Sequence, residues 1–209
     1  MAVVATAMLA FNPAVAEDPT TQTRDISGFD EVAVKGSGDV KITIGKGFKV
    51  EVTANAKDHE DIETTLRGGV LNISRERERG RRWNSDDGYF VTITMPKLAA
   101  LDSRGSGDAI IYNLKADKFQ VNQKGSGDVE ISGSCKEGVF KSRGSGDLDA
   151  RELTCEKAEI TSKGSGDVEL TVSGDVELRL KGSGDIDLYG SPRITSLKSQ
   201  GSGEVTLEN

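Results

Sequence analysis

From Glu31 to the C-terminus the chain is written in short runs where apolar and polar residues alternate. A period of two means strands, because a strand sends successive side chains to opposite faces. Each run flanks one recurring word, Gly-Ser-Gly-Asp, which begins at Gly36, Gly105, Gly125, Gly144, Gly164 and Gly182 and returns as Gly-Ser-Gly-Glu at Gly201. Aligned on that word, the position after the acid is always apolar, from Val40 and Ala109 to Ile186 and Val205. The position two further on runs from Ile42 and Ile111 to Leu188 and Leu207, and the position four before the word from Val32 and Leu101 to Leu178 and Leu197. These columns predict one interior-facing strand on each side of a glycine corner.

After Gly105 the word starts are 20, 19, 20, 18 and 19 residues apart, and a near-constant period of this size marks a stacked repeat. The expected fold is all-β: a single-domain parallel β-helix, or solenoid, of about 19 residues per coil. Its default hand is right-handed, as parallel crossovers are. An antiparallel meander with Gly-Ser-Gly as its hairpin loop is the rival, but whole columns, not alternate ones, repeat their chemistry. The expected organisation is a signal peptide over residues 1–16, a polar linker over 17–25 and the β-helix over 26–209. Within the β-helix, divergent N-terminal coils fill 26–104 and regular coils 105–209. The 69-residue spacing from Gly36 to Gly105 is expected to hold further coils without the word, with strands at Lys49–Thr53, Ile62–Leu66, Val70–Ser74 and Tyr89–Met95, a turn at Gly68-Gly69 and a helical turn near Asp58–Glu63.

Cys135 and Cys155 both lie nine residues before a word, so they share a column in adjacent coils. Strands about 4.8 Å apart fall within the Cα spacing a disulfide needs, and an inter-coil bridge is expected. The first sixteen residues are mostly apolar and end in Ala14-Val15-Ala16, a small-x-small cleavage pattern, which predicts an exported, oxidising destination, periplasmic or at the cell surface. No segment has about 20 apolar residues in a row, so no transmembrane span is expected. With 34 acidic and 27 basic residues the net charge is −7, which argues against nucleic acid as a partner.

Candidate chemistry lies in the charged columns. Like charges stacked at strand spacing repel, yet the word's acid recurs in every coil and a basic residue precedes all but the last. The acids are expected to accept hydrogen bonds from corner amides in Asx-turns. A sharper alternative is calcium: Asp128 and Glu130, Asp147 and Asp149, Asp167 and Glu169, and Asp185 and Asp187 place two carboxylates per coil on one face, the hard oxygen donors that calcium selects. A second candidate is an anion-binding loop of Arg75, Arg77, Arg79, Arg81, Arg82 and Trp83, with five arginines against two glutamates and guanidinium groups suited to bidentate contacts. Its alternative is a strand end running into a solvated loop. No catalytic spacing, zinc motif or phosphate loop is visible, no cofactor is expected, and the single histidine, His59, reads as a surface residue.

The chain resembles the bacterial auto-transporter adhesin head, or GIN, domain. The resemblance is carried by Phe29-Asp30-Glu31-Val32 leading into Lys35-Gly36-Ser37-Gly38-Asp39-Val40, by Ile62-Glu63-Thr64 before a glycine turn and Val70-Leu71-Asn72-Ile73, and by the later words. It implies an exported β-helical protein with an adhesin-like role and no catalytic residues. The expected function is therefore a binding or structural module of the cell envelope, presenting a solenoid face to a glycan or protein and able to self-associate through its open ends. The alternative is a carbohydrate-active β-helix enzyme such as a polysaccharide lyase, in which carboxylate-bound calcium and a basic residue act together.

Overall fold

Each Gly-Ser-Gly-Asp corner lies directly on the corner of the coil before it, and the strands around it run parallel. The computed structural model describes residues 18–75 and 88–208; the expected signal peptide lies outside the described residues. On one side of the corner run β3 (Asp39–Ile44), the first part of β9 (Ala109–Gly125), β10 (Val129–Gly144) and β11 (Leu148–Gly164), then β12 (Val168–Val172), β14 (Ile186–Gly190) and β16 (Val205–Glu208). On the other run β2 (Glu31–Gly36), β8 (Ala100–Gly105), the later parts of β9 to β11, then β13 (Asp175–Gly182) and β15 (Arg193–Gly201). The result is a β-solenoid of about 5 turns with about 20 residues per turn.

The register is the one the columns predict. Val32, Leu101, Val121, Phe140, Ile160, Leu178 and Leu197 stack as successive neighbours, and all but Leu197 are buried. Parallel pairing excludes the meander for the repeat region. Cys135 and Cys155 are register partners with Cα atoms 4.5 Å apart, joined by a disulfide inside the core. It closes a separation of 20 residues, which on loop entropy contributes about 3 kcal/mol.

Glycine is obligatory at the corner because there is no room for anything else. A Cβ on Gly125 would lie 1.9 Å from the carbonyl oxygen of Gly105, and one on Gly127 2.0 Å from that of Gly107. Gly125 also has φ +143°, a region side chains disfavour. The close approach lets the Gly105 carbonyl accept the amides of Ser126 (2.8 Å) and Gly127 (3.3 Å), and every coil repeats this. The word's aspartate supplies the next link, and it differs from the expected Asx-turn. Asp108 Oδ1 accepts the Asp128 amide of the next coil at 2.8 Å, Asp128 Oδ1 accepts that of Asp147, and Asp147 Oδ1 that of Asp167. Each carboxylate is thus a hook between coils.

The N-terminal region departs from the expected succession of coils. Gly36 and Gly105 are register partners in adjacent coils, so the residues between them make no coils between the two words. The described strands between Lys49 and Met95 lie beneath the first word instead. There β6 (Val70–Arg75) and β7 (Phe90–Met95) form one further coil, parallel to β2 and β3. Beyond it lie antiparallel strands, β4 (Lys49–Ala54) against β7 and β5 (Ile62–Arg67) against β6. The predicted linker also changes: its Thr20–Arg24 forms β1, paired antiparallel with β4. This end is a cap, with Leu71, Ile73, Val91 and Ile93 fully buried. Where a preceding corner would lie stands the ring of Tyr89, whose Cζ is 2.0 Å from where a Gly38 Cβ would be, and the Tyr89 carbonyl accepts the Asp39 amide at 3.1 Å.

Four substitutions in one corner separate these roles. Gly125→Ala meets backbone on both counts, and chemical denaturation is expected to show a loss of more than about 3 kcal/mol, whereas Ser126→Ala stays within about 0.5 kcal/mol. Asp128→Ala strands the Asp147 amide and is expected to lose about 1 kcal/mol. Asp128→Asn, which keeps the oxygen, is expected to lose less than Asp128→Ala in the same measurement.

Candidate functional site

The acidic face is built by the same register. Glu130, Asp149, Glu169 and Asp187 are successive neighbours along one outward row, one strand position beyond the hook residues in two-residue pleat terms. Asp128, Asp147, Asp167 and Asp185 each commit Oδ1 to an amide of the following coil. In the outer row Arg151 lies between two acids, its Nη2 2.5 Å from Asp149 Oδ2 and its Nε 2.5 Å from Glu169 Oε2. The face is therefore tied partly to backbone amides and partly to a guanidinium. Among the described residues no group of three or more His, Cys, Asp or Glu side chains is arranged to hold a metal ion.

Arg151 does not treat its two partners alike. Its hydrogen bonds hold the Asp149 carboxyl below the ordinary aspartate range. Glu169 is held above the ordinary glutamate range despite its ion pair with Arg151, because partial burial comes first and Asp149, Asp187 and Asp167 add to it, outweighing the arginine.

The arginine-rich candidate divides at the edge of the described residues. Arg75 ends β6, and its guanidinium is 3.1 Å from Asp58 with both side chains nearly inaccessible; it helps close the cap rather than facing an outside anion. Arg77, Arg79, Arg81, Arg82 and Trp83 lie outside the described residues. His59 is a second correction. It is buried, following a 3₁₀ turn at Ala56–Asp58, with Nε2 3.0 Å from both the hydroxyl and the carbonyl oxygen of Thr20. Arg24 donates to the His59 carbonyl at 3.2 Å, so the histidine fastens β1 to the cap.

A concave site that the sequence reading did not identify lies on the outer face of β5, β6, β2 and β8. Register places three rows there. Arg67, Val70, Glu31 and Ala100 form the first, Thr65, Asn72, Ala33 and Asp102 the second, and Glu63, Ser74, Lys35 and Arg104 the third. Because Ala33, Val70 and Ala100 are small, the middle sinks into a groove of about 320 Å³ rimmed by Arg67, Lys35 and Arg104, with Glu31 and Asp102 also in its lining. Arg104 is held in place: Nε and Nη2 donate to Asp102 at 2.9 and 2.5 Å, and Asn122 donates to the same carboxylate at 3.0 Å. Among the described residues no acid lies within ion-pairing distance of Lys35 or Arg67. The alternation of Glu31-Val32-Ala33-Val34-Lys35 held the signal, an outward alanine among charged neighbours, but which strands would flank it was not readable.

A family model described as "Putative auto-transporter adhesin, head GIN domain" matches residues 28–192. Several solved structures share the fold. A "putative adhesin" from Bacteroides fragilis superposes with a TM-score of 0.76 at 21% identity, over 92% of this chain and 98% of that one. A "putative adhesin" from Parabacteroides distasonis gives 0.54 at 20%, over 92% and 98%. A "putative lipid binding protein" from the same organism gives 0.52 at 21%, over 92% and 97%. No curated protein matches the chain. Among the described residues no helix is long and apolar enough to cross a membrane.

The unequal hold of Arg151 is measurable by carboxyl NMR titration. Asp149 is expected to titrate below the ordinary aspartate range and Glu169 above the ordinary glutamate range. Arg151→Ala is expected to move both upward. Asp149, depressed in the fold, contributes stability present above its unfolded value and lost as pH falls through its folded one; Glu169, raised, contributes stability present below its unfolded value and lost as pH rises through its folded one.

Proposed function

Since the chain belongs to the GIN-domain family of auto-transporter adhesin heads, we propose that it is an exported, non-enzymatic binding module of the cell envelope, working at the periplasm or cell surface. Its contact is adhesin-like and is made by the groove on β5, β6, β2 and β8. The observation that carries this reading is the floor of Ala33, Val70 and Ala100 set between Arg67 and Lys35. The aspartates of the corner word are engaged in holding coils together, whereas Lys35 and Arg67 have no acid in ion-pairing distance among the described residues.

The chemistry points to an acidic glycan. A sugar ring offers a C–H face that suits a floor of small aliphatic side chains, and a carboxylate or sulfate on it meets Arg67 or Lys35 through charge-assisted hydrogen bonds. Asn72 and Asp102 supply groups for hydroxyls, and the held Arg104 fixes one rim. A volume of about 320 Å³ is at the lower end of small-ligand sites, which fits recognition of one or two residues of a longer chain. The protein's own charge of −7 disfavours non-specific capture of polyanions, so binding depends on the local arrangement.

The test is calorimetric titration of the chain with a polyuronate and, in parallel, a neutral polysaccharide of similar length. The polyuronate is expected to bind with an affinity that falls as salt rises, and the neutral polymer not to bind. Lys35→Ala with Arg67→Ala is expected to weaken the polyuronate about tenfold or more while leaving the melting temperature unchanged. Equal binding by the double variant would refute the groove as the site. Appearance of unsaturated uronate products in the same mixtures would refute the non-enzymatic reading in favour of a lyase.

A further inference from the structure

The two ends of the solenoid are finished differently. At the N-terminal end the interior columns close under the cap, whose edge strand β1 is Thr20-Thr21-Gln22-Thr23-Arg24, polar on both faces. At the C-terminal end, among the described residues, no element covers the last coil. Leu178 and Leu188 are 0% exposed, yet Leu197 and Leu207, next in the same columns, are 49% and 51% exposed. Ile194 and Val205 are only partly covered. Among the described residues β15 pairs with β13 alone and β16 with β14 alone, so both present an unpaired edge, which templates another strand.

The last coil also lacks the features that specify a following parallel coil. The hook aspartate becomes Glu204 and the basic corner residue becomes Gln200. In the outward rows, Glu177 gives way to Ser196 and Asp187 to Thr206. Head-to-tail stacking is unsuited as well, since the opposite end presents polar β1 in place of a complementary corner. What suits the end is a copy of itself.

We propose that the C-terminal end of the solenoid docks a second copy of this chain, β15 pairing antiparallel with its two-fold mate. A two-fold axis at Leu197 sets the two Leu197 side chains against each other and places Lys198 opposite Ser196 of the mate. The lysine that makes this edge unsuited to indiscriminate pairing then faces a neutral residue, and no like charges oppose across these central positions, which would be destabilising. Leu207 of each copy extends the apolar patch. Such a contact is isologous and closes at two copies, so it does not propagate into a fibre. The pairing is independent of the groove on β5, β6, β2 and β8.

Sedimentation and light scattering of the full chain across a dilution series test it. A dimer with a concentration-dependent monomer is expected. Leu197→Lys is expected to weaken the dimer about tenfold or more with unchanged circular dichroism, since the residue is half exposed in the single chain. Leu197→Cys is expected to give a covalent dimer under mild oxidation, because directly opposed Cβ atoms in an antiparallel pair lie about 5 Å apart. A chain monomeric at every concentration would overturn the proposal, as would a dimer indifferent to Leu197→Lys, a Leu197→Cys chain that never cross-links, or assemblies that keep growing with concentration. Capture of a strand from another protein in place of a second copy would overturn it too.

Discussion

The closest constraint in this protein is the contact between one glycine corner and the next. The carbonyl oxygen of Gly105 occupies the place where a side chain on Gly125 would begin, and the same holds along the stack. Backbones that approach so closely fix the height and rotation of each coil on its predecessor. The other inter-coil features then fall into place. Paired amides reach the corner carbonyl, the aspartate hook reaches the next aspartate's amide, and Cys135 comes level with Cys155. A slip of one residue would break all three and turn the apolar columns outward.

Charge in this molecule is largely structural. The acid after each corner is a hydrogen-bond acceptor for the next coil, and the acids one pleat beyond are held in part by Arg151. A polar column also runs inside the corner: Ser103, Gln123, Ser142 and Ser162 are buried, and Gln123 donates to the carbonyls of Gly127 and Asp147 at 2.7 and 3.0 Å. Buried backbone carbonyls need donors, and one glutamine serves two. Regular columns of this kind explain why the fold stands, and the regularity breaks at two places, the cap groove and the last coil.

The cap shows how a repeat fold begins. An exposed first coil would leave its apolar interior and its corner open to water, and the chain closes both by folding β4 to β7 back beneath its first word. Tyr89 stands in for the missing corner, giving ring contact to Gly38 and a carbonyl to Asp39. The buried Asp58–Arg75 pair and His59 hold the surrounding strands. Removing one member of such a buried pair leaves the other charge uncompensated, at a cost of about 3–5 kcal/mol, so these groups belong to the architecture although they carry the residue types of chemistry.

Much of this was legible from the chain alone. Regular repeats put the same residue types in the same places, so period, parallel stacking, interior columns and the Cys135–Cys155 bridge could be read from spacing. The hook was half legible: the recurring acid marked a necessary acceptor, but that its donor belongs to the following coil is a matter of three-dimensional register. Between Gly36 and Gly105 the strands were readable and their order was not, because antiparallel return beneath the first coil and parallel continuation above it use the same alternating pattern. Only the tertiary fold decided that choice. It thereby buried His59 and Arg75, turned the expected linker into β1, and brought Ala33, Val70, Arg67 and Lys35 to one groove from strands whose neighbours local sequence does not name.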